Sequence, residues 1–110
     1  MAEVHHLTDD NSTSFLKDKE VVVVKYYAAW CGPCQITSPI FHDLAAGSFA
    51  TNHPEISWAE VDIDEALDTA TDQGVMSIPT FIVYKKGEEV ERYIGSVTAV
   101  GMQAIIERNL

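Results

Sequence analysis

The sequence predicts an α/β domain built on a mixed sheet. Segments rich in β-branched and aromatic residues alternate with segments whose apolar residues recur at helical spacing, in the order βαβαβαββα. The chain has 110 residues, of which 46% are hydrophobic, a size and composition that fit one packed core. We therefore expect a single domain over residues 1–110, with a central five-stranded sheet flanked by four helices.

The first half of the chain is organised around a strand that is expected to be covered on both faces. Residues 21–27 begin with four consecutive valines and end in a β-branched and aromatic run, which is typical of a central strand. Residues 4–7 predict a short first strand, and residues 15–16 supply the apolar side of a short helix. A long helix is expected from residue 34 to about 49, with a kink at Pro39.

The second half of the chain predicts a helix between two strands, then a hairpin and a last helix. Residues 56–62 predict another strand, and residues 65–73 predict a short helix. The strands at 80–84 and 90–94 are joined by a tight connection, which predicts an antiparallel hairpin. Thr98 is placed to cap the final helix. The early strands must therefore pair in parallel and the last two antiparallel.

The charge of the chain excludes some partners. There are 17 acidic and 7 basic residues, so the formal net charge is -10. Nucleic acids and anionic membranes repel such a surface, and we expect neither as a partner. The charge mildly favours partners with basic patches, although it is also explained by solubility alone.

The N-terminal residues suggest a location. Residues 1–6 lack a basic region followed by an apolar run, so we expect no signal peptide. No segment has the length needed to cross a bilayer. The cytoplasm is the expected compartment, and an organelle reached through a removed presequence is the alternative.

Cys31 and Cys34 are the two cysteines of the chain, and their spacing indicates chemistry rather than cross-linking. A disulfide that closes so short a loop adds little stability. A zinc site is the alternative, but it needs four ligands, and a second cysteine pair is missing. The histidines do not supply the usual ligand spacing; they are His5, His6, His42 and His53. We therefore expect no metal.

The segment from Trp30 to Cys34 follows the central strand and opens the long helix. Unpaired N–H groups and partial positive charge at a helix N-terminus stabilise a thiolate, which is the nucleophile of thiol chemistry. Pro33 is tolerated there because the first helical turn needs no donor from it. We expect Cys31, on the loop side, to attack, and Cys34, in the helix, to resolve the mixed disulfide.

These residues resemble the thioredoxin family over nearly the whole chain. The run from Trp30 to Cys34 matches the family motif, and Pro39 matches its helix proline. Two further matches are the loop Ile78-Pro79-Thr80 and Gly95. The resemblance implies a thioredoxin fold and a cis Pro79 that faces the cysteines. It also implies an apolar surface for substrate proteins, formed by Trp30, Gly32, Pro33, Ile78, Pro79 and Gly95.

The resemblance further implies a function. Members of the family reduce protein disulfides generally and are recharged by a flavin-containing thioredoxin reductase that uses NADPH. The chain itself would hold no cofactor beyond its redox-active disulfide, and we expect a monomer. For the two tryptophans, a core position is the alternative for Trp30 and the expected one for Trp58.

Two charged positions depart from the family pattern. Lys25 stands where the family has a buried Asp, and Glu60 aligns with a position that usually holds Lys. If their strands are neighbours, the two side chains pair, and removing one should cost about 3–5 kcal/mol if both are buried. We hypothesise that Glu60 or neutral Lys25 handles the proton of Cys34; the alternative is that both side chains reach solvent. Gln35 replaces a basic residue that many relatives carry.

Two other functions remain open at this point. An oxidase or isomerase would use the same fold, although Gly32 and Pro33 between the cysteines resemble the reducing members. A binding or scaffold module would use the apolar surface without turnover. Substitution of Cys31 by Ser separates the second alternative from catalysis, because a scaffold would keep its function.

Overall fold

The computed structural model describes residues 3–110, and its five strands form one mixed sheet. The strands are β1 (Val4–Leu7), β2 (Val21–Tyr27), β3 (Ile56–Asp62), β4 (Thr80–Lys85) and β5 (Glu88–Ile94). The helices are α1 (Ser12–Asp18), α2 (Gly32–Ala46), α3 (Ser48–Asn52), α4 (Leu67–Asp72) and α5 (Ala99–Glu107).

Strand β2 lies at the centre of the sheet, whose spatial order is β1-β3-β2-β4-β5. It pairs in parallel with β3 and antiparallel with β4, while β1 joins β3 in parallel and β5 joins β4 antiparallel. The predicted mixed five-stranded sheet is confirmed. In the β2–β3 register, Lys25 lies opposite Glu60.

Two hydrophobic clusters cover the faces of the sheet, because successive residues of a strand point to opposite sides. On one face, Val21 and Val23 pack with Phe41 of α2 and with Trp58. On the other face, Val22 and Val24 belong to a second cluster. Trp58 is fully buried, so its expected core position is confirmed.

The long predicted helix is two helices, so the chain has five in residues 3–110 rather than four. Helix α2 runs through Pro39 and ends before Gly47, whose backbone is extended with φ −94° and ψ −172°. A Cβ at Gly47 would lie 3.2 Å from the Asp43 carbonyl oxygen. Helix α3 then buries Phe49 and Ala50. The prediction joined the two helices because Phe49 continues the apolar spacing of α2.

The remaining boundaries are close to the predicted ones. Helix α4 begins at Leu67, two residues after the expected start. Lys86 and Gly87 turn the β4–β5 hairpin with positive φ angles of 52° and 85°. The Thr98 hydroxyl accepts the Gly101 N–H at 3.0 Å, which confirms the cap of α5. None of the helices in the described part of the chain is long and apolar enough to cross a membrane.

Candidate active site

Cys31 caps the N-terminus of α2, at the carboxyl end of β2. Its backbone is extended, and its Sγ accepts the N–H of Cys34 at 3.2 Å. Gly32 and Pro33 occupy the first helical positions, where the missing N–H of proline costs no hydrogen bond. Cys31 and Cys34 are joined by a disulfide with 5.3 Å between their Cα atoms. The predicted pair is therefore bonded and lies at the predicted helix end.

A second segment faces the disulfide from the loop before β4. The peptide bond between Ile78 and Pro79 is cis, and the Ile78 carbonyl oxygen lies 3.9 Å from the Cys31 Sγ. The Gly95 N–H donates to the Pro79 carbonyl at 2.9 Å, and Gly95 has a φ of +105° that favours glycine. The fold thus brings together three segments that are remote in sequence.

Trp30 is a surface residue, so its core alternative is wrong. It is 68% exposed, and its Nε1–H donates to the Asp64 carboxylate at 2.8 Å. Asp64 is in turn held by its own N–H, which donates to Asp62 at 2.9 Å. Asp64 was not predicted from the sequence. The sequence does contain a signal for the contact between Asp64 and Trp30, because residues that follow neighbouring parallel strands meet at the same edge of a sheet.

Lys25 is buried inside the domain, with 2% of its side chain exposed. Its Nζ lies 2.6 Å from the Ser38 hydroxyl, 3.1 Å from Glu60 Oε1 and 3.2 Å from His42 Nε2. An ammonium group has three donors, and three acceptors surround it here. Lys25 therefore sits in a site that matches an ammonium, and the alternative of a solvated Lys25 is wrong.

Glu60 is the partner of Lys25 and is less buried, with 19% of its side chain exposed. Burial tends to raise the pKa of its carboxyl. The charge and hydrogen bond of Lys25, helped by His42 and His6, outweigh burial and hold that pKa below its usual value of 4.5. Glu60 is consequently a carboxylate at neutral pH.

Comparison with known proteins identifies the family. A family model described as Thioredoxin matches residues 3–108. The chain belongs to the thioredoxin family.

Individual relatives support the same assignment. Thioredoxin-1 of Schizosaccharomyces pombe is 33% identical over 97 residues, which cover 88% of each chain. Thioredoxin M4, chloroplastic, of Arabidopsis thaliana is 36% identical, covering 98% of this chain and 54% of that protein. The crystal structure of Malassezia sympodialis thioredoxin (Mala s 13) superposes with a TM-score of 0.87 at 26% identity, covering 98% of this chain and 91% of that one.

Family membership and the Cys31–Cys34 disulfide together define the activity. Thioredoxins are thiol–disulfide oxidoreductases, and this chain carries the redox-active pair. The family uses that disulfide without a prosthetic group. Within residues 3–110, no cluster of His, Cys, Asp and Glu has the arrangement of a metal site.

The structure adds three polar residues around the Lys25–Glu60 pair that were not predicted from the sequence. His42 Nε2 lies 3.3 Å from Glu60 Oε1, and His6 Nδ1 lies 3.5 Å from Glu60 Oε2. Ser38 binds Lys25, as described above. A signal for two of them is present in α2, because Cys34, Ser38 and His42 follow at intervals of four and so lie on one helical stripe. His6 has no such signal, since only the sheet order places β1 beside β3.

Tyr27 connects the Lys25 site with the cysteines. Lys25 Nζ lies 4.5 Å from the centre of the Tyr27 ring. Tyr27 also packs against the cluster of Ala28, Cys31 and Cys34. Burial, reinforced by the negative charge of Glu60 and of nearby aspartate and glutamate, raises the pKa of Tyr27 to about 12. Tyr27 is therefore a neutral phenol in contact with both the Lys25 site and the cysteine cluster.

Proposed function

We propose that this thioredoxin reduces protein disulfides with Cys31 as the attacking and Cys34 as the resolving cysteine. Exposure does not separate them, because both residues are buried, at 5% and 3% exposed. Hydrogen bonding does, since the Cys31 Sγ is the atom that accepts an N–H at the start of α2. That contact and the partial positive charge of the helix end favour a thiolate on Cys31.

The reaction then runs in two exchanges. The Cys31 thiolate attacks one sulfur of the substrate disulfide; a mixed disulfide forms, and the other substrate sulfur leaves as a thiolate and takes a proton. Cys34 loses its proton and attacks the Cys31 Sγ, which breaks the mixed disulfide and releases the second substrate thiol. Two electrons and two protons have passed to the substrate, and the Cys31–Cys34 disulfide is the oxidised product.

We assign substrate binding to the surface around the disulfide that was predicted from the sequence. Trp30 offers an exposed apolar ring beside Gly32 and Pro33. In residues 3–110, the Ile78 N–H and carbonyl form no backbone hydrogen bond, so an extended substrate segment has a strand-like edge to pair with. Pro79 and Gly95, linked by their hydrogen bond, form the floor beside this edge.

We assign Lys25 and Glu60 an electrostatic role in the ionisation of Cys34. The contacts favour this role over the direct proton transfer hypothesised from the sequence, because three acceptors surround the Lys25 Nζ and the pKa of Glu60 is lowered. A buried ammonium near Cys34 favours its thiolate, and the Glu60 carboxylate offsets part of that effect. Both are positioning residues, since they act through the field at Cys34.

The remaining proposals concern the cellular setting. We propose a flavin-dependent thioredoxin reductase, driven by NADPH, as the source of electrons, and a monomer as the working form. We propose the cytoplasm as the compartment, because thiols are kept reduced there and a disulfide reductant depends on its reduced form. The chloroplastic relative makes an organelle the alternative, and cell fractionation decides between them. Oxidation of NADPH in a mixture with a thioredoxin reductase and a disulfide substrate tests the electron source.

Reduction of insulin disulfides tests the division of labour between the cysteines. Cys31→Ser should abolish reduction and form no mixed disulfide. Cys34→Ser should accumulate a mixed disulfide on Cys31 that mass spectrometry detects after non-reducing digestion. Trapping on Cys34 instead would reverse the assignment, and retention of full biological function by Cys31→Ser would favour the scaffold alternative.

The resolving rate tests the role of Lys25 and Glu60. When the reduced protein meets one equivalent of Ellman's reagent, a second and concentration-independent release of thionitrobenzoate reports the attack of Cys34 on Cys31. Lys25→Met should slow this step near neutral pH, and Glu60→Gln should accelerate it. Unchanged pH profiles in both variants would remove these residues from the mechanism.

A further inference from the structure

His42 contacts both members of the buried ion pair with one atom. Its Nε2 lies 3.2 Å from Lys25 Nζ and 3.3 Å from Glu60 Oε1. Lys25 Nζ and Glu60 Oε1 are themselves 3.1 Å apart, so the three atoms form a nearly equilateral triangle. A single proton on His42 Nε2 therefore changes the contacts of both partners.

The two protonation states of Nε2 have opposite consequences. Without a proton, Nε2 accepts from the Lys25 ammonium. In the imidazolium, Nε2 donates to Glu60 and competes with Lys25 for the same carboxylate oxygen. It also places a second positive charge beside the ammonium. Lys25 cannot move into water, since 2% of its side chain is exposed, whereas 43% of the His42 side chain is exposed.

We propose that His42 is a positioning residue whose protonation makes the surroundings of Cys34 more positive and so sustains the resolving step in mildly acidic solution. When His42 competes for Glu60, the carboxylate compensates less of the positive charge of Lys25. The imidazolium also adds a positive charge of its own. Both changes favour the Cys34 thiolate. The inference rests on the proposed electrostatic role of Lys25 and Glu60.

A short path connects this site with Cys34. Lys25 donates to Ser38, which lies one turn after Cys34 on the same stripe of α2, and His42 lies one turn further. Tyr27, a neutral phenol, contacts both Lys25 and the cluster that holds the cysteines. Charge at His42 thus reaches Cys34 along one stripe of α2, through the largely buried Lys25 with which His42 is in contact.

Other titratable groups meet the same site and must be separated from His42. On β1, His6 faces the second oxygen of Glu60 and also binds Glu65 at 3.0 Å. Hydrogen bonding to Glu65 raises the pKa of His6, against a smaller opposing effect of burial and with further help from Glu60. His6 does not contact Lys25 in the described part of the chain, and it is therefore the appropriate comparison.

The test measures the resolving step from pH 5.5 to pH 8.5, again through the second release of thionitrobenzoate. Without coupling, the rate should fall roughly tenfold for each pH unit below the thiol pKa, because the thiolate fraction does. In the wild type the fall should be shallower than this in the acidic part of the range. At pH 5.5, His42→Gln should resolve about fivefold more slowly than the wild type, a size typical of weak site–site coupling. At pH 8.5 the two should agree.

His42→Lys provides the opposite change. A permanent positive charge at this exposed helical position should raise the resolving rate at pH 8.5 by about fivefold over the wild type. His6→Gln should behave as the wild type does. His53→Gln is the matched control, because His53 pairs with Glu55 away from the site.

The outcomes distinguish this inference from the proposal beneath it. Identical profiles for the wild type and His42→Gln, or loss of the shallow region in His6→Gln instead, would overturn the role of His42. If Lys25→Met still slows the resolving step in that case, the role of Lys25 and Glu60 stands. If Lys25→Met and Glu60→Gln also leave the profile unchanged, both proposals fall together.

Discussion

Lys25 and Glu60 lie opposite each other on adjacent parallel strands, but they are buried to different degrees. Their charged atoms are 3.1 Å apart, and the exposed fractions of the side chains are 2% and 19%. The expected pair therefore forms, but only Lys25 is buried in it. Glu60 keeps some contact with water and with two histidines, whereas Lys25 depends on its protein partners.

This asymmetry predicts unequal effects on stability. Glu60→Gln leaves a buried ammonium without its counter-charge and should lower the free energy of unfolding by about 3 kcal/mol. Lys25→Met replaces the buried charge by an apolar chain and leaves a carboxylate that water and histidines still solvate. It should cost about 1 kcal/mol or less. Urea unfolding of both variants and of the double variant measures the difference; equal losses would contradict the asymmetry.

The lowered pKa of Glu60 predicts how the stability depends on acid. A carboxyl whose pKa is lower in the folded than in the unfolded state stabilises the fold above its unfolded pKa of 4.5. That contribution is lost as the pH falls through the lower, folded pKa. The wild type should therefore lose more stability than Lys25→Met between pH 5 and pH 2, as followed by urea unfolding at each pH. Parallel losses in the two proteins would show that Lys25 does not hold this carboxylate.

The reduction potential of the Cys31–Cys34 disulfide is the first property to measure. Equilibration with glutathione buffers, followed by Trp30 fluorescence and thiol trapping, should place it clearly below the potential of the glutathione pool. Such a value means that the dithiol carries reducing power. It also means that the exchange of charges at Lys25 and Glu60 leaves this reducing power intact. A clearly more oxidising value would move the protein to the oxidase or isomerase class, with Lys25 and Glu60 as the first cause to test.

The hydrogen bond between Trp30 and Asp64 predicts an effect on substrate binding. It orients an exposed ring beside the disulfide, and an exposed hydrogen bond contributes little to stability. Asp64→Ala should leave the melting temperature nearly unchanged and lower kcat/KM for insulin reduction by about threefold, a loss of roughly 0.7 kcal/mol in transition-state stabilisation. Asp68→Ala, on α4, is the control. A kcat/KM equal to that of the wild type would show that Trp30 needs no fixed orientation.

Local patterns in the sequence were sufficient for the strands and for the reactive pair. The valine run of β2, the hairpin turn at Lys86-Gly87 and the Thr98 cap each depend on residues within a few positions of one another. The position of Cys31 at a helix start has the same local origin. The break at Gly47 escaped prediction because the extended backbone of one residue interrupts α2 without disturbing the apolar spacing on either side.

The sequence by itself determined the strands, the cysteine pair at a helix start and the presence of two charges at unusual positions. The tertiary structure alone decided what surrounds those charges. His6, Lys25 and Glu60 come from β1, β2 and β3, and His42 comes from the helix packed above them. Their meeting depends on the spatial order β1-β3-β2, which places β3 between two strands that precede it in the chain. Hydrogen bonds and ion pairs act over about 3–4 Å, so only packing across strands that are distant in sequence specifies them.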